Sequence, residues 1–277
     1  MIIHASAHAK INWALNIVGR RGDGYHLLDM LMQEIDLCDA MSFEDAEGLS
    51  LRVDGVLAGD ENLVMRAAKA LSARCGGRRG AAMSLEKRIP ARAGMGGGSA
   101  DCAVALKALN RLWGLGLSDA ELSEIGVGLG ADVPFCLAGG LARVTGIGED
   151  VSPIVGAPRI PLALVTPGGG LSTAEVFRLW DERFPPAELD VPALAEAVVR
   201  RDLKAVDRLC ANALTAPAIE LMPEIGDLMR TFRALGAGAV FMTGSGSTVV
   251  AAFEGGEQAR RAAEKVDGAR VAYTTGM

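Results

Sequence analysis

The sequence predicts an α+β fold in two lobes, and three observations carry that prediction. The chain has 277 residues, enough for two lobes that share an active-site cleft. Half of its residues are hydrophobic and 22% are charged, so it has material for a sizeable core and wholesale disorder is excluded. Helical and extended patterns are mixed along it, without the regular alternation of a βαβ protein.

The elements follow in order. An extended stretch over 11–18 leads into the turn-rich run Gly19-Arg20-Arg21-Gly22-Asp23-Gly24. A second extended stretch lies near 49–53, and Asp60 is placed to cap a helix over 62–74. Residues 82–89 alternate like a strand. Beyond a glycine-rich loop, Cys102, Leu106, Leu109 and Trp113 share one face of a helix that begins near residue 100. Ser118 and Glu121 form a capping box that opens a helix reaching about residue 129. Asp132-Val133-Pro134 starts a turn or short helix, and 141–155 reads as strands and turns. The Pro and Gly cluster at 153–170 marks the lobe boundary, giving lobes of 1–155 and 156–277. Helices are expected over 172–183 and 192–211, and Leu221, Ile225, Leu228, Phe232 and Leu235 mark another. Strands at 240–243 and 248–253 flank a tight turn, and a helix at 256–266 and a strand at 269–273 close the chain.

Composition excludes several function classes. The net charge of −6 is wrong for broad phosphate neutralisation, so no nucleic-acid partner is expected. Phosphates must be held locally. The uncharged stretch 234–253 is rich in Gly, Ser and Thr, which argues for strand–loop–strand over a membrane span. Five scattered cysteines without a CxxC pair, and no secretory leader, point to a reduced cytoplasmic protein. With only three histidines, a His/Cys metal cage is not expected. The unusual features are 35 glycines and few aromatics: Phe 7, Trp 3 and Tyr 2.

The glycines concentrate where chemistry is expected. The loop from Pro90 to Ser99 contains Gly94, Met95, Gly96, Gly97 and Gly98, directly before a well-patterned helix. Glycine tolerates positive φ and has no Cβ, so backbone N–H groups can converge on a phosphate. The helix behind adds its unpaired N–H groups and its positive dipole end. Lys87, Arg88 and Arg92 supply local positive charge. The loop is not a Walker A loop, since no Gly-Lys-Ser/Thr follows, and it is a poor Rossmann fingerprint. A flexible connector is the plainer alternative.

Two other segments carry polar groups. Lys10 and Asn12 fall on one face of the first strand, with Ile11 opposite. That pair can serve a transferring phosphoryl group and a hydroxyl, or can simply be a strand face in water. In Gly130-Ala131-Asp132-Val133-Pro134, Asp132 can orient an attacking hydroxyl or can cap a short helix. Lys10 close to Asp132 would keep the carboxylate ionised.

Taken in this order, the three segments resemble the GHMP kinase superfamily, with Thr243-Gly244-Ser245-Gly246-Ser247 as its C-terminal glycine turn. Ala9-Lys10-Ile11-Asn12 and Gly19 to His26 are similar to the branch that phosphorylates a cytidine diphosphate-linked methylerythritol in non-mevalonate isoprenoid synthesis. Asp60 to Val64, Gly94 to Ser99, Gly130 to Pro134, Gly146 to Glu149, and Thr166-Pro167-Gly168 followed by Thr173 and Phe177 match that branch in order. The Asp23-Gly24-Tyr25-His26 segment is its most specific element.

The resemblance implies a GHMP kinase fold: an N-terminal ribosomal-S5-like lobe that binds ATP, a ferredoxin-like C-terminal lobe, and the active site in the cleft between them. It implies ATP and Mg²⁺ as cofactors and a small-molecule substrate. By position it makes Asp132 and Lys10 catalytic and sets Asn12 beside the acceptor hydroxyl. Tyr25 and Phe177 become the aromatics that sandwich the cytosine, His26 the reader of its edge, and Thr173 a further substrate contact. Pro90, Gly94 to Ser99 and Asn62 go to ATP, and the magnesium ligands stay open. Phe177 also fits the buried face of a helix with Val176 and Trp180, and Tyr25 could be a turn anchor. Ala100 and Asp101 depart from the branch, which often has Ser and Asn there; Asp101 is expected to point away from phosphate or to cap the helix. A monomer or weak homodimer is expected. A homoserine or mevalonate kinase, or a nucleotide-binding regulator without catalysis, are the rival readings.

Overall fold

The computed structural model describes residues 1–185 and 188–276. The chain opens with two long strands, β1 (Ile2–Arg20) and β2 (His26–Ala46), which pair with each other. There follow β3 (Leu49–Val53), β4 (Val56–Leu57), α1 (Leu63–Arg74), β5 (Gly80–Glu86), α2 (Gly97–Trp113), α3 (Asp119–Val127) and α4 (Val133–Ala138). Next come β6 (Leu141–Gly146), β7 (Asp150–Ile154), β8 (Pro161–Val165), α5 (Thr173–Arg183), α6 (Val191–Val199), α7 (Leu203–Leu209), α8 (Thr215–Leu221) and α9 (Glu224–Ala234). The chain closes with β9 (Ala239–Met242), β10 (Val249–Ala252), α10 (Gly256–Ala263) and β11 (Arg270–Tyr273).

The sequence pattern locates most of these, and the differences have local causes. Asp60 does not cap α1. The cap is Asn62, whose side chain accepts from the Val64 amide at 2.9 Å, while Asp60 reaches Lys69 at 2.6 Å. The helix expected over 192–211 is two helices. Arg201 takes a left-handed φ of 57° between them, and Asp202 caps α7 by accepting from the Ala205 amide at 3.0 Å. The face running from Leu221 to Leu235 is likewise divided at Pro223, between α8 and α9. β8 lies inside the Pro and Gly cluster at 153–170 that reads as a boundary; all five of its residues are buried. The capping box of α3 is present as expected.

The chain folds as two compact units. The first comprises Met1–Ala9, Leu37–Ile89 and Gly96–Ala138. In it β5 pairs parallel to β3 and antiparallel to the second half of β2. Phe43, Leu51, Leu71, Leu85, Leu106 and Leu109 form the core between these strands and helices α1 and α2. Each such side chain contributes about 1.5–3 kcal/mol on burial. Trp113 ends α2 in the same core and donates from its indole to the Gly80 carbonyl at 3.2 Å.

The second unit comprises Lys10–Asp36, Pro90–Met95 and the chain from Gly139 onward. The first half of β2 pairs with β6, and β6 with β7, all antiparallel. A separate four-stranded antiparallel sheet runs β11-β8-β10-β9. Its central strands β8 and β10 are wholly buried. Trp13 rests on Phe241 at 4.9 Å and donates to Gln33 at 2.7 Å, so its polar edge is satisfied inside the core. No helix among the described residues is long and apolar enough to cross a membrane.

Candidate active site

On β1 the two-residue period puts Lys10 and Asn12 on one face. They are 4% and 1% exposed, which removes the reading of a strand face in water. Buried polar groups need partners. The Lys10 ammonium donates to the Asn12 side-chain carbonyl at 2.8 Å and to the Gly94 carbonyl at 3.0 Å. The Lys10 amide donates to the Met95 carbonyl at 3.0 Å, and the Asn12 amide donates to the Thr243 hydroxyl at 2.9 Å. The first strand, the glycine-rich loop and the C-terminal glycine turn thus meet around Lys10 and Asn12.

The two glycine segments touch backbone to backbone. Gly94 has φ 75°, and a Cβ on it would lie 2.2 Å from the Thr243 carbonyl oxygen. A Cβ on Gly244, at φ 57°, would lie 2.5 Å from the Gly94 carbonyl oxygen. Asn212 holds the turn by donating to the carbonyls of Met242 at 2.9 Å and Gly244 at 2.8 Å. No sequence signal marks Asn212, because its partners are 30 and 32 residues away. Ser245 exchanges a hydrogen bond with Thr173 at 2.8 Å, and Gly246 follows with φ 88°.

Beyond Met95 the loop becomes the first turn of α2 in the other unit. The helix starts at Gly97, earlier than the apolar spacing indicates, with Gly96 as a left-handed cap and no side-chain cap. Its first N–H groups therefore have neither a helical nor a capping partner, and they carry the positive end of the dipole. That is the electrostatic requirement for holding an anion. The Ser99 side chain is directed toward Gly130, where an added Cβ would lie 3.6 Å from its hydroxyl oxygen. Gly130 leads to Asp132, which is half-buried immediately before α4, and whose backbone carbonyl accepts from the Cys136 amide at 3.0 Å. Pro90 and Asn62 are half-buried in the same way, and the Asn62 side chain serves as the α1 cap.

Under the first turn of α2 lies a charge cluster that sequence reasoning only half identifies. Asp39, fully buried, accepts from the backbone amides of Arg88 and Ile89 through one oxygen and from Lys87 through the other. Lys87 also donates to Asp101 at 2.7 Å. Asp101 therefore does not cap the helix; it accepts from Lys87 beneath it, and its second oxygen has no hydrogen-bond partner among the described residues. Burial pushes the Asp101 carboxyl up to about 7, against the pull of Lys87. The folded state then keeps a proton that the unfolded chain has already lost. Stability must fall as pH rises from the ordinary aspartate range toward 7. Asp101→Asn removes that slope. Urea unfolding between about pH 5 and 8 should show a steeper decline for the unsubstituted chain than for the variant, and parallel curves would refute it.

The three residues assigned to the nucleobase lie together less simply than the sandwich implies. Tyr25 is 60% exposed, with the Arg21 guanidinium 5.5 Å from its ring centre. His26 lies over Phe177, ring centres 4.7 Å apart and 30° between planes, and meets Trp180 edge-on at 5.8 Å. His26 also bonds through Nε2 to Asp181 at 2.8 Å. The ring resting on Phe177 is therefore His26.

These segments can be compared with known proteins. A family model of the GHMP kinases N terminal domain matches residues 62–140, and one of the GHMP kinases C terminal matches residues 194–271. The chain is 42% identical over 269 residues to a Pelotomaculum thermopropionicum protein named 4-diphosphocytidyl-2-C-methyl-D-erythritol kinase, covering 96% of this chain and 94% of that one. A Syntrophotalea carbinolica protein of the same name is 42% identical over 264 residues, covering 94% and 92%. A crystal structure of 4-(cytidine 5'-diphospho)-2C-methyl-D-erythritol kinase matches with TM-score 0.86 and 37% identity, over 99% of this chain and 100% of that one. A homoserine kinase from Cytophaga hutchinsonii matches with TM-score 0.75 at 18% identity, over 99% and 95%, which is a likeness of fold alone.

Proposed function

The chain belongs to the GHMP kinases, and from that premise we propose that it transfers the γ-phosphoryl group of ATP to the 2-hydroxyl of 4-diphosphocytidyl-2-C-methyl-D-erythritol. The products are the 2-phosphate and ADP. The observation that carries this reading is the 42% identity to enzymes of that name over nearly the whole chain. The buried Lys10 network supports it.

In this reading the backbone amides of Gly94 to Ser99 hold the ATP phosphates. Lys10, already desolvated and bonded to Asn12, sets its charge against the oxygens of the transferring group. The acceptor is a tertiary alcohol, hindered and weakly nucleophilic, so orientation matters more than deprotonation. Asp132 aims the hydroxyl and takes its proton. A bond forms between the hydroxyl oxygen and the γ-phosphorus, and the bond to the β–γ bridging oxygen breaks with its electron pair leaving on ADP. No group of three or more His, Cys, Asp or Glu among the described residues is placed to hold a metal. Mg²⁺ is usually bound through one or two protein oxygens plus substrate phosphates. The Ser99 hydroxyl, on the first turn of α2, is the protein oxygen that would hold it. When bound, Mg²⁺ neutralises charge on the β- and γ-phosphates. Tyr25, Phe177, His26, Asn12 and Thr173 take the cytidine and acceptor parts of the substrate. The enzyme works in the cytoplasm as a monomer or weak homodimer.

The test is a panel of alcohols with ATP, read as ADP formation. The cytidine diphosphate-linked alcohol should be used with a kcat/KM about 10³-fold or more above homoserine or mevalonate, as expected when the others leave buried polar groups unpaired. Turnover of homoserine or mevalonate with the cytidine compound ignored would overturn the substrate assignment.

A further inference from the structure

Asp181 has no role in the reaction as described, yet its carboxylate is bonded to His26. It sits on α5 one turn beyond Phe177, which brings Phe177 under the imidazole while Asp181 meets the ring edge. Trp180 closes a further side. The other oxygen of Asp181 lies 3.7 Å from Arg20, a contact that holds the carboxylate in line. The imidazole is therefore fixed on a face and at one nitrogen.

The chemistry of that bond is informative. An ionised carboxylate only accepts hydrogen bonds, so Nε2 must carry a proton. The remaining ring nitrogen, Nδ1, then has a defined character: an acceptor in the neutral ring, a donor only in the imidazolium. Cytosine presents an amino donor beside an unprotonated N3, and uracil presents the reverse pair. A histidine free to switch its proton between nitrogens suits either base. One locked by a carboxylate does not.

We propose that Asp181 is a positioning residue that fixes the tautomer of His26 and so sets the preference for cytosine over uracil in the acceptor. The inference rests on the reading of His26 as the residue that meets the nucleobase. It follows that the effect of Asp181 falls on substrate recognition and not on the phosphoryl step. Asp181→Asn is the informative variant, because its amide can donate to Nε2 and drive the ring proton to Nδ1. Asp181→Glu restores an acceptor.

The experiment compares the cytidine- and uridine-linked alcohols in the unsubstituted enzyme and in both variants. Asp181→Asn should raise KM for the cytidine substrate about 10-fold or more, the scale of one lost hydrogen bond to the base. Its kcat should stay within about 3-fold, and the cytidine-to-uridine ratio of kcat/KM should fall about 10-fold. Asp181→Glu should recover most of that ratio. In ¹⁵N spectra of the imidazoles, where His4 and His8 are the only others, the His26 proton should move from Nε2 to Nδ1 in Asp181→Asn. An unchanged ratio in Asp181→Asn, or a ring proton that stays on Nε2, would overturn this inference while leaving the kinase reading intact. Failure of the unsubstituted enzyme to use the cytidine compound at all would overturn that reading itself.

Discussion

Asp132→Asn is expected to lower kcat about 10³-fold, within the span that a positioned acid–base group contributes, while KM for either substrate changes little. Asparagine keeps the size and one carbonyl of aspartate, so the turn into α4, held by the Val133 amide donating to the Gly130 carbonyl and the Cys136 amide to the Asp132 carbonyl, remains in place. In the proposed mechanism, what is lost is the group that takes the hydroxyl proton and the charge that aims the hydroxyl. Both losses fall on the transition state, which is why kcat carries the effect. Steady-state kinetics of the purified variant check it, and the circular dichroism melt confirms that it is folded. Turnover within about 10-fold of the unsubstituted enzyme would remove Asp132 from the mechanism.

Gly94→Ala is expected to have the second-largest effect, for a steric reason. The residue has φ 75° and its added methyl would sit 2.2 Å from the Thr243 carbonyl oxygen. The left-handed conformation alone costs about 1–2 kcal/mol with a Cβ. The contact is with backbone, so the loop or the C-terminal turn must move. The Gly94 carbonyl that anchors Lys10 moves with it. A displacement of about 1 Å at such a site costs about 10²-fold in kcat/KM. Gly98→Ala is the control: its methyl would meet only Leu63 at 3.6 Å, an ordinary contact. Thermal melts should show Gly94→Ala destabilised by roughly 2 kcal/mol or more, and Gly98→Ala changed by less than about 1 kcal/mol. Equal melting temperatures for Gly94→Ala and the unsubstituted chain would mean that the two glycine segments are not held against each other.

The parts legible in the sequence are those with local signals. The capping box at Ser118, the helix face of Cys102 to Trp113 and the face shared by Lys10 and Asn12 each follow from spacing within a few residues. The C-terminal glycine turn is legible as a motif, and its packing on Gly94 gives that motif a physical reason. Illegible are the features made by distant partners. Lys87 and Asp39 are 48 residues apart, and nothing near Asp39 marks it as a fully buried anchor for the strand end before the glycine loop. Asp181 reads as one more surface acid on α5 until His26, 155 residues earlier, is set beside it. β2 is hard to see because its buried and exposed positions do not alternate regularly over its 21 residues. The break at Arg201 is hidden because a left-handed arginine has no compositional signature.

Transfer of a phosphoryl group from ATP to one particular tertiary hydroxyl is the activity on which the roles of Lys10, Asp132 and the glycine loop all depend. Phosphorus NMR of a reaction with ATP, Mg²⁺ and 4-diphosphocytidyl-2-C-methyl-D-erythritol tests it most directly. A carbon that bears a methyl branch has no hydrogen beside its oxygen. A phosphomonoester formed there gives an uncoupled singlet, and it should grow in step with ADP, one for one. A proton-coupled phosphomonoester would place the phosphate on another hydroxyl, and ADP formation indifferent to the alcohol would contradict the account altogether.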